Sequence, residues 1–152
     1  MDTLGYKIIL ASGSPRRQKF FEEMEIAFSK KVLSIDENFP DELKGVEIAQ
    51  YIAKQKAKPF KAIIKKDEII ITADTIVWNK NKYLGKPKNR EEATQILQSL
   101  SDNTHQVITA VGFLQKNKWD CIHEISEVTF GSLSDETIQK KKVSMLSLEF
   151  TV

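Results

Sequence analysis

The apolar positions of this chain alternate between two spacings, and the changes of spacing mark its elements. Ile8, Ile9 and Leu10 are consecutive, the pattern of a short strand covered on both faces. Ser12, Gly13 and Ser14 break that run. Pro15 then opens a helix in which Phe20, Phe21 and Met24 recur at helical spacing and are expected to bury one face. Ser14 is a good N-cap, and Pro15 sits where a missing N–H removes nothing. Ile26 to Leu33 reads as a second strand, and Ser34 to Gly45 as an acidic loop holding Pro40. Val46 to Ile64 reads as a long helix that Pro59 kinks or ends. Its inner stripe is Ile48, Ala49, Ile52, Ala53 and Ala57. Lys56 lies on that stripe, while Lys54 and Lys58 look outward.

Further on, Ile69 to Ile71 is a central-strand run that Thr72 to Thr75 is expected to interrupt before Ile76 to Trp78 resumes it. Asn79 to Lys82 forms a turn, and Tyr83 and Leu84 return from it. Asn89 caps a third helix, with Glu92 completing a capping box and Ala93, Ile96, Leu97 and Leu100 on its core face. Val107 to Leu114 and Trp119 to Phe130 form a hairpin around the polar turn Gln115 to Lys118. Ser134 caps a fourth helix. After Lys140 to Lys142 the sequence VSMLSLEFTV leans toward β structure. No internal repeat or low-complexity linker separates these elements.

A chain of 152 residues can build one domain with a sizeable core. The net charge of +2 demands neither nucleic acid nor an anionic membrane. The lysines are scattered, and Trp78 and Trp119 are not interleaved with a basic stripe, which argues against a nucleic-acid module. The single Cys121 excludes an internal disulfide framework and suits a reducing cytosol. It is expected in the strand core rather than as a nucleophile. His105 and His123 have no zinc spacing and no partner arrangement for a triad, so both read as structural or surface groups. The start MDTLGYK has no signal-peptide character, and no run is long enough to span a bilayer.

Four places carry chemistry. A helix N-terminus offers backbone N–H groups to an anion. Arg16 and Arg17 in its first turn oppose the helix dipole, so an anionic ligand explains them better than helix stability does; solvated surface charge is the alternative. Asp74 stands in an apolar context and must be paired, hydrogen-bonded or protonated, as a functional carboxylate or as a structural one bonded to backbone N–H groups. Lys56 either snorkels or serves a cleft. Among Asp36, Glu37, Asp41 and Glu42, most read as solvated, with Glu37 the candidate for binding a cation. Gly85-Lys86-Pro87 is a tight turn with one lysine, and its spacing is not that of a Walker A loop.

Taken together, LASGSPRR at Leu10 to Arg17, ADT around Asp74, GKP at Gly85 to Pro87 and LSDNTHQVITAV at Leu100 to Val111 resemble the Maf family of nucleoside triphosphate pyrophosphatases. IDE at Ile35 to Glu37, AKQKA around Lys56 and SEVTFGSLSDETI at Ser126 to Ile138 fall in the same order. The resemblance implies an α/β fold of the Maf/ITPase-like kind: a mixed twisted sheet with flanking helices, in two lobes around a cleft. It implies hydrolysis of a nucleoside triphosphate to the monophosphate and pyrophosphate, aided by a divalent metal, Mg²⁺ or Mn²⁺. It also implies cytosolic housekeeping against modified or surplus nucleotides, with a homodimer as the candidate assembly. By this resemblance Asp74 is the general base, a metal ligand or both. Glu37 joins it at the metal. Ser12, Arg17, Lys56 and Lys86 line the triphosphate site, and Arg16 and Thr75 bear on substrate choice. The SPRR and ADT versions resemble the branch acting on dTTP and UTP rather than the one preferring 7-methyl-GTP.

The resemblance stops near Ile138. The expected organisation is therefore a Maf-like domain over residues 1–138, incomplete at its C-terminal part through truncation or a change of frame, and a divergent tail over 139–152. The competing function is a catalytically impaired nucleotide-binding or regulatory protein linked to cell division.

Overall fold

A computed structural model describes residues 2–147 of the chain. Among the described residues, six strands and four α-helices follow one another in the order β1 (Lys7–Leu10), α1 (Pro15–Glu23), β2 (Phe28–Lys30), α2 (Val46–Ala57), β3 (Glu68–Asn79), β4 (Lys82–Leu84), α3 (Arg90–Leu100), β5 (Thr104–Gln115), β6 (Lys118–Thr129) and α4 (Asp135–Ser147). The strands form a mixed sheet in the order β2-β1-β3-β5-β6, with β4 on β3. β1 runs parallel to β2 and to β3, and β4 is antiparallel to β3. The α/β class and the mixed sheet are those expected.

The chain divides into two compact units. The first holds Met1–Leu43, Glu47–Asp74 and Ala110–His123; the second holds Lys44–Val46, Thr75–Thr109 and Glu124–Val152. In the first unit the consecutive isoleucines divide between two faces, as side chains of a strand must. Ile9 and Ile70 pack with Ala57, Phe60, Ile64 and Leu114. Ile8, Leu10, Ile69 and Ile71 pack with Phe21, Phe28 and Phe113. The first set brings in α2 and the 3₁₀ turn that follows it, and the second brings in α1. Both faces of the parallel strands are therefore covered, which is why their sequences do not alternate. The chain leaves β1 through α1 to reach β2, then returns through α2 to β3 on the other side of β1. That reversal makes β1/β3 the switch point of a doubly wound sheet.

Several expectations change in detail. No residue of α1 is buried; Phe20 and Met24 remain 55% and 45% exposed, and Phe21 alone packs inward, edge-on to Phe28. Neighbouring helix positions are roughly 100° apart, so Phe20 and Phe21 cannot both face the sheet, and Met24 shares the outward direction of Phe20. The second strand is only Phe28–Lys30. The long helix stops at Ala57, and Pro59 lies in the first turn of a 3₁₀ segment, Lys58–Ala62, so the proline does end the helix. β3 is one unbroken strand of 12 residues, not two. The Thr72 hydroxyl donates to the Ala53 carbonyl at 2.8 Å, and that bond lets a polar residue stay inside the strand. Cys121 is only half-buried on β6, most of which is exposed. The tail is helical as far as Ser147, because no Gly or Pro interrupts Lys140–Ser147 and Lys, Met and Leu are good helix formers. LEFTV, residues 148–152, lies outside the described residues.

The second unit follows its sequence signals closely. Lys80 and Asn81 have φ of 49° and 61°, the left-handed pair that a two-residue hairpin turn requires. Asn89 accepts from the Glu92 N–H at 2.8 Å and caps α3, while the Glu92 carboxylate accepts from the Lys88 N–H. Ala93, Leu97 and Leu100 of α3 are buried as expected, and Ile138 of α4 is buried too.

In the first unit, Gly112 on β5 gives way to the Trp119 indole. A Cβ placed on Gly112 would lie 2.0 Å from Cη2 of that ring. Gly112→Ala should therefore lower stability by about 1–3 kcal/mol, as over-packing does. A lower urea midpoint for Gly112→Ala, partly restored in Gly112→Ala/Trp119→Leu, is the expected result.

Candidate active site

The charged residues of the first unit gather where its parallel strands end. β1 and β3 are in register through Leu10 and Ile71, and β1 and β2 through Leu10 and Lys30. Beyond those positions the chain continues to Ser12 after β1, to Asp74 along β3, and into the loop that carries Glu37 after β2. Ligands of open α/β sheets bind at the carboxyl ends of strands beside a switch point, which is this place.

Ser12 is buried, 6% exposed, and its Oγ is an acceptor for two groups: the Ser14 N–H at 3.2 Å and Nη1 of Arg17 at 3.2 Å. Ser14 in turn caps α1 through its Oγ, with the Arg17 N–H at 3.5 Å. The loop thus folds its first serine back on itself and ties it to the guanidinium one turn into the helix. That same Nη1 donates to the carbonyl of Ala73 at 3.2 Å. The strand β3 and the loop after β1 are joined by this cation.

Lys56 completes the group from α2. Its Nζ donates to Asp74 Oδ1 at 3.0 Å and to the Ala73 carbonyl at 3.2 Å, and it forms an ion pair with Glu37 Oε1 at 3.1 Å. The Ala73 carbonyl therefore accepts from both Arg17 and Lys56, one on each lone pair. Lys56 reaches this point because Ala49, Ala53 and Ala57 on the inner stripe of α2 are buried and small, and because the Thr72 bond to Ala53 anchors the helix beside β3. The side chains of Lys56 and Asp74 are 19% and 11% exposed, whereas that of Glu37 is 57% exposed.

Burial pushes the Asp74 carboxyl above its usual range, and the neighbouring Glu37 charge adds to that push. The Lys56 charge and hydrogen bond, and more distantly Arg17, pull the other way. Two carboxylates and two cations share the site, which makes it balanced in charge and expensive to leave half-filled.

Five of the residues expected from the sequence are brought together here: Ser12, Arg17, Glu37, Lys56 and Asp74. Arg16 lies exposed on the first turn of α1. Thr75 and Lys86 belong to the second unit, where the Thr75 hydroxyl meets Thr109 Oγ1 at 3.0 Å and Lys86 is exposed after β4. His105 is buried in the second unit against the ring edge of Phe130, and His123 meets Gln50 at 3.3 Å, both structural or surface groups as read. Among the described residues, no three His, Cys, Asp or Glu side chains converge. No described helix is long and apolar enough to cross a membrane.

Two contributors escaped the sequence reading. The Ala73 carbonyl is a backbone group and leaves no side-chain signal. The sequence pattern expects Thr72 to interrupt the strand, and its bond to the Ala53 carbonyl, 19 residues away, leaves no local signal.

The chain is similar to a dTTP/UTP pyrophosphatase of Flavobacterium johnsoniae, 50% identical over 133 residues that make up 88% of this chain and 69% of that protein. It is also 48% identical to a dTTP/UTP pyrophosphatase of Parabacteroides distasonis, again over 88% of this chain and 69% of the relative. Among solved structures, the Staphylococcus aureus Ham1 protein shares the fold, with a TM-score of 0.57 over 85% of this chain and 72% of that one at 14% identity. The family model described as Maf-like protein matches residues 7–143, and the chain belongs to the Maf-like protein family.

Proposed function

We propose that this protein hydrolyses a nucleoside triphosphate, dTTP or UTP, to the monophosphate and pyrophosphate. The observation that carries the reading is the buried, proton-favouring Asp74 held beside Lys56 and Arg17 at the strand ends. The relatives' names supply the substrate class. Cytosolic residence, which the lone Cys121 suits, is part of the proposal.

Cleavage between the α- and β-phosphates needs a nucleophilic water and positive charge against the anionic leaving group. Arg17, Lys56 and the N-terminus of α1 supply positive charge at these strand ends. Asp74 accepts the proton of the attacking water, and its raised pKa brings it nearer to neutral pH, where a base works best. Ser12 orients the Arg17 guanidinium rather than meeting the reacting atoms.

The donor set fits a hard divalent cation. Glu37 and Asp74 are oxygen ligands that already converge on one positive centre, the Lys56 ammonium. Magnesium-type sites commonly use one or two carboxylates plus substrate phosphates. When bound, such an ion would offset phosphate charge and polarise the phosphorus. Glu37 and Asp74 would hold it.

Asp74→Asn is expected to lower kcat for dTTP by about a hundredfold or more, measured as pyrophosphate release. The stability of the unsubstituted protein should also depend on pH through this carboxyl. A carboxyl whose folded pKa lies above its unfolded 3.8 stabilises the fold only below that value, and loses the contribution as pH rises through the folded pKa. Stability should therefore fall as pH rises through the folded pKa of Asp74, and that pH dependence should be absent from Asp74→Asn in thermal melts across pH. Full activity in Asp74→Asn would overturn the mechanism. Binding of dTTP without turnover by the unsubstituted protein would favour a regulatory nucleotide binder instead.

The acid limb of kcat/KM should fall at a pH above the 3.8 of a free aspartate, and should vanish from the residual activity of Asp74→Asn. Arg16, exposed on the first turn of α1, is proposed to bear on substrate choice. Arg16→Ala should change the ratio of kcat/KM for dTTP over dATP, measured as pyrophosphate release. Thr75 is likewise proposed to bear on substrate choice, and Lys86 to line the triphosphate.

A further inference from the structure

The Lys56 ammonium already has three oxygens around it: it donates to Asp74 Oδ1 and to the Ala73 carbonyl, and it is ion-paired with Glu37 Oε1 at 3.1 Å. A phosphate that takes its full charge must replace one of these partners. Its stem rises from the buried stripe between Ala53 and Ala57, so the head cannot retreat far to find another partner. The ammonium also stands where the two carboxylates converge, which is the position of highest negative potential they create. Lys56 and a divalent cation therefore compete for the same pair of ligands.

The three contacts are not equally hard to give up. Asp74 is nearly buried, and breaking its pair with Lys56 would leave an uncompensated buried charge. Glu37 is 57% exposed on a loop, and an exposed ion pair contributes little. Glu37 is the partner that yields first.

We propose that Lys56 acts as a place-holding cation whose bond to Glu37 is exchanged for one to the triphosphate, so that nucleotide binding releases Glu37 for the metal. This rests on the nucleotide reading above and adds an order to it. In the free protein Lys56 suppresses metal binding; with the triphosphate in place the ammonium turns to a phosphate oxygen and Glu37 becomes available. Metal and nucleotide then assist each other by more than their direct attraction, and linkage requires the assistance to be mutual.

The test uses the full chain and two binding measurements that need no turnover. The first is Mn²⁺ binding to the nucleotide-free protein, followed by the EPR signal of free Mn²⁺. Lys56→Gln keeps a hydrogen-bond donor and loses only the charge, and should bind Mn²⁺ about tenfold more tightly than the unsubstituted protein. Lys56→Arg, which keeps the charge, should not. The second is calorimetric binding of an α,β-methylene analogue of dTTP in EDTA. Glu37→Gln removes the competitor on an exposed loop and should tighten this metal-free binding several-fold. Asp36→Asn, which removes the same charge from the same loop, where Asp36 accepts from the Asn38 N–H and side-chain amide, should not match that gain. Unchanged Mn²⁺ affinity in Lys56→Gln, or no selective gain in Glu37→Gln, overturns the exchange while analogue binding leaves the nucleotide reading standing. No binding of the analogue by the unsubstituted protein overturns both.

Discussion

A carboxylate placed among apolar strands stays ionised only if positive charge is held beside it, and that constraint organises the first unit. Asp74 lies on the continuous strand β3, 8% exposed, and its charge is offset by Lys56 from α2 and, more distantly, by Arg17 from α1. Each cation must be positioned by something else. For Lys56 that is the alanine stripe and the Thr72 bond to Ala53; for Arg17 it is the Ser12 hydroxyl and the turn that Ser14 caps. Both cations also share the Ala73 carbonyl. One buried charge thus explains why a helix stripe is small, why a loop folds back and why a threonine sits inside a strand.

Much of this was legible in the sequence, for reasons that differ by residue. The run Ile69 to Ile71 marked a strand covered on both faces, and the structure covers both. Lys56 was conspicuous because a charge on an apolar stripe violates the helical pattern. Asp74 was conspicuous because a carboxylate violates the strand pattern. Violations of local rules are where function concentrates. Local patterning also pointed to Glu37 within its acidic loop and to Arg16 and Arg17 as a pair; the family resemblance then added Ser12 and separated Arg17 from Arg16.

What the sequence hid was of two kinds. Periodicity cannot choose between adjacent residues of a short helix, so Phe20 and Met24 looked as inward as Phe21. Propensity also cannot see a long-range bond. Thr72 is satisfied by a carbonyl 19 residues away, and without that partner the strand looked broken. The contribution of the Ala73 carbonyl is invisible for the same reason: it depends on the path of the backbone, which every residue shares.

The placement of the site follows from where such a charge can be tolerated. In the interior of the sheet the backbone groups are already paired with neighbouring strands, and none is left to share with a cation. At the carboxyl ends of β1 and β2 the pairing stops while β3 runs on, so the Ala73 carbonyl can take hydrogen bonds from Arg17 and Lys56. The loops leaving β1 and β2 carry Ser12 and Glu37 to the same region, and the reversal of winding at β1 sends α1 and α2 to opposite faces, so their cations arrive from two sides. A doubly wound sheet therefore supplies, at one point, free backbone acceptors, a helix N-terminus and room for opposed charges. The residues that carry the chemistry are an exploitation of that point, and moving any of them one strand further into the sheet would leave its charge without partners.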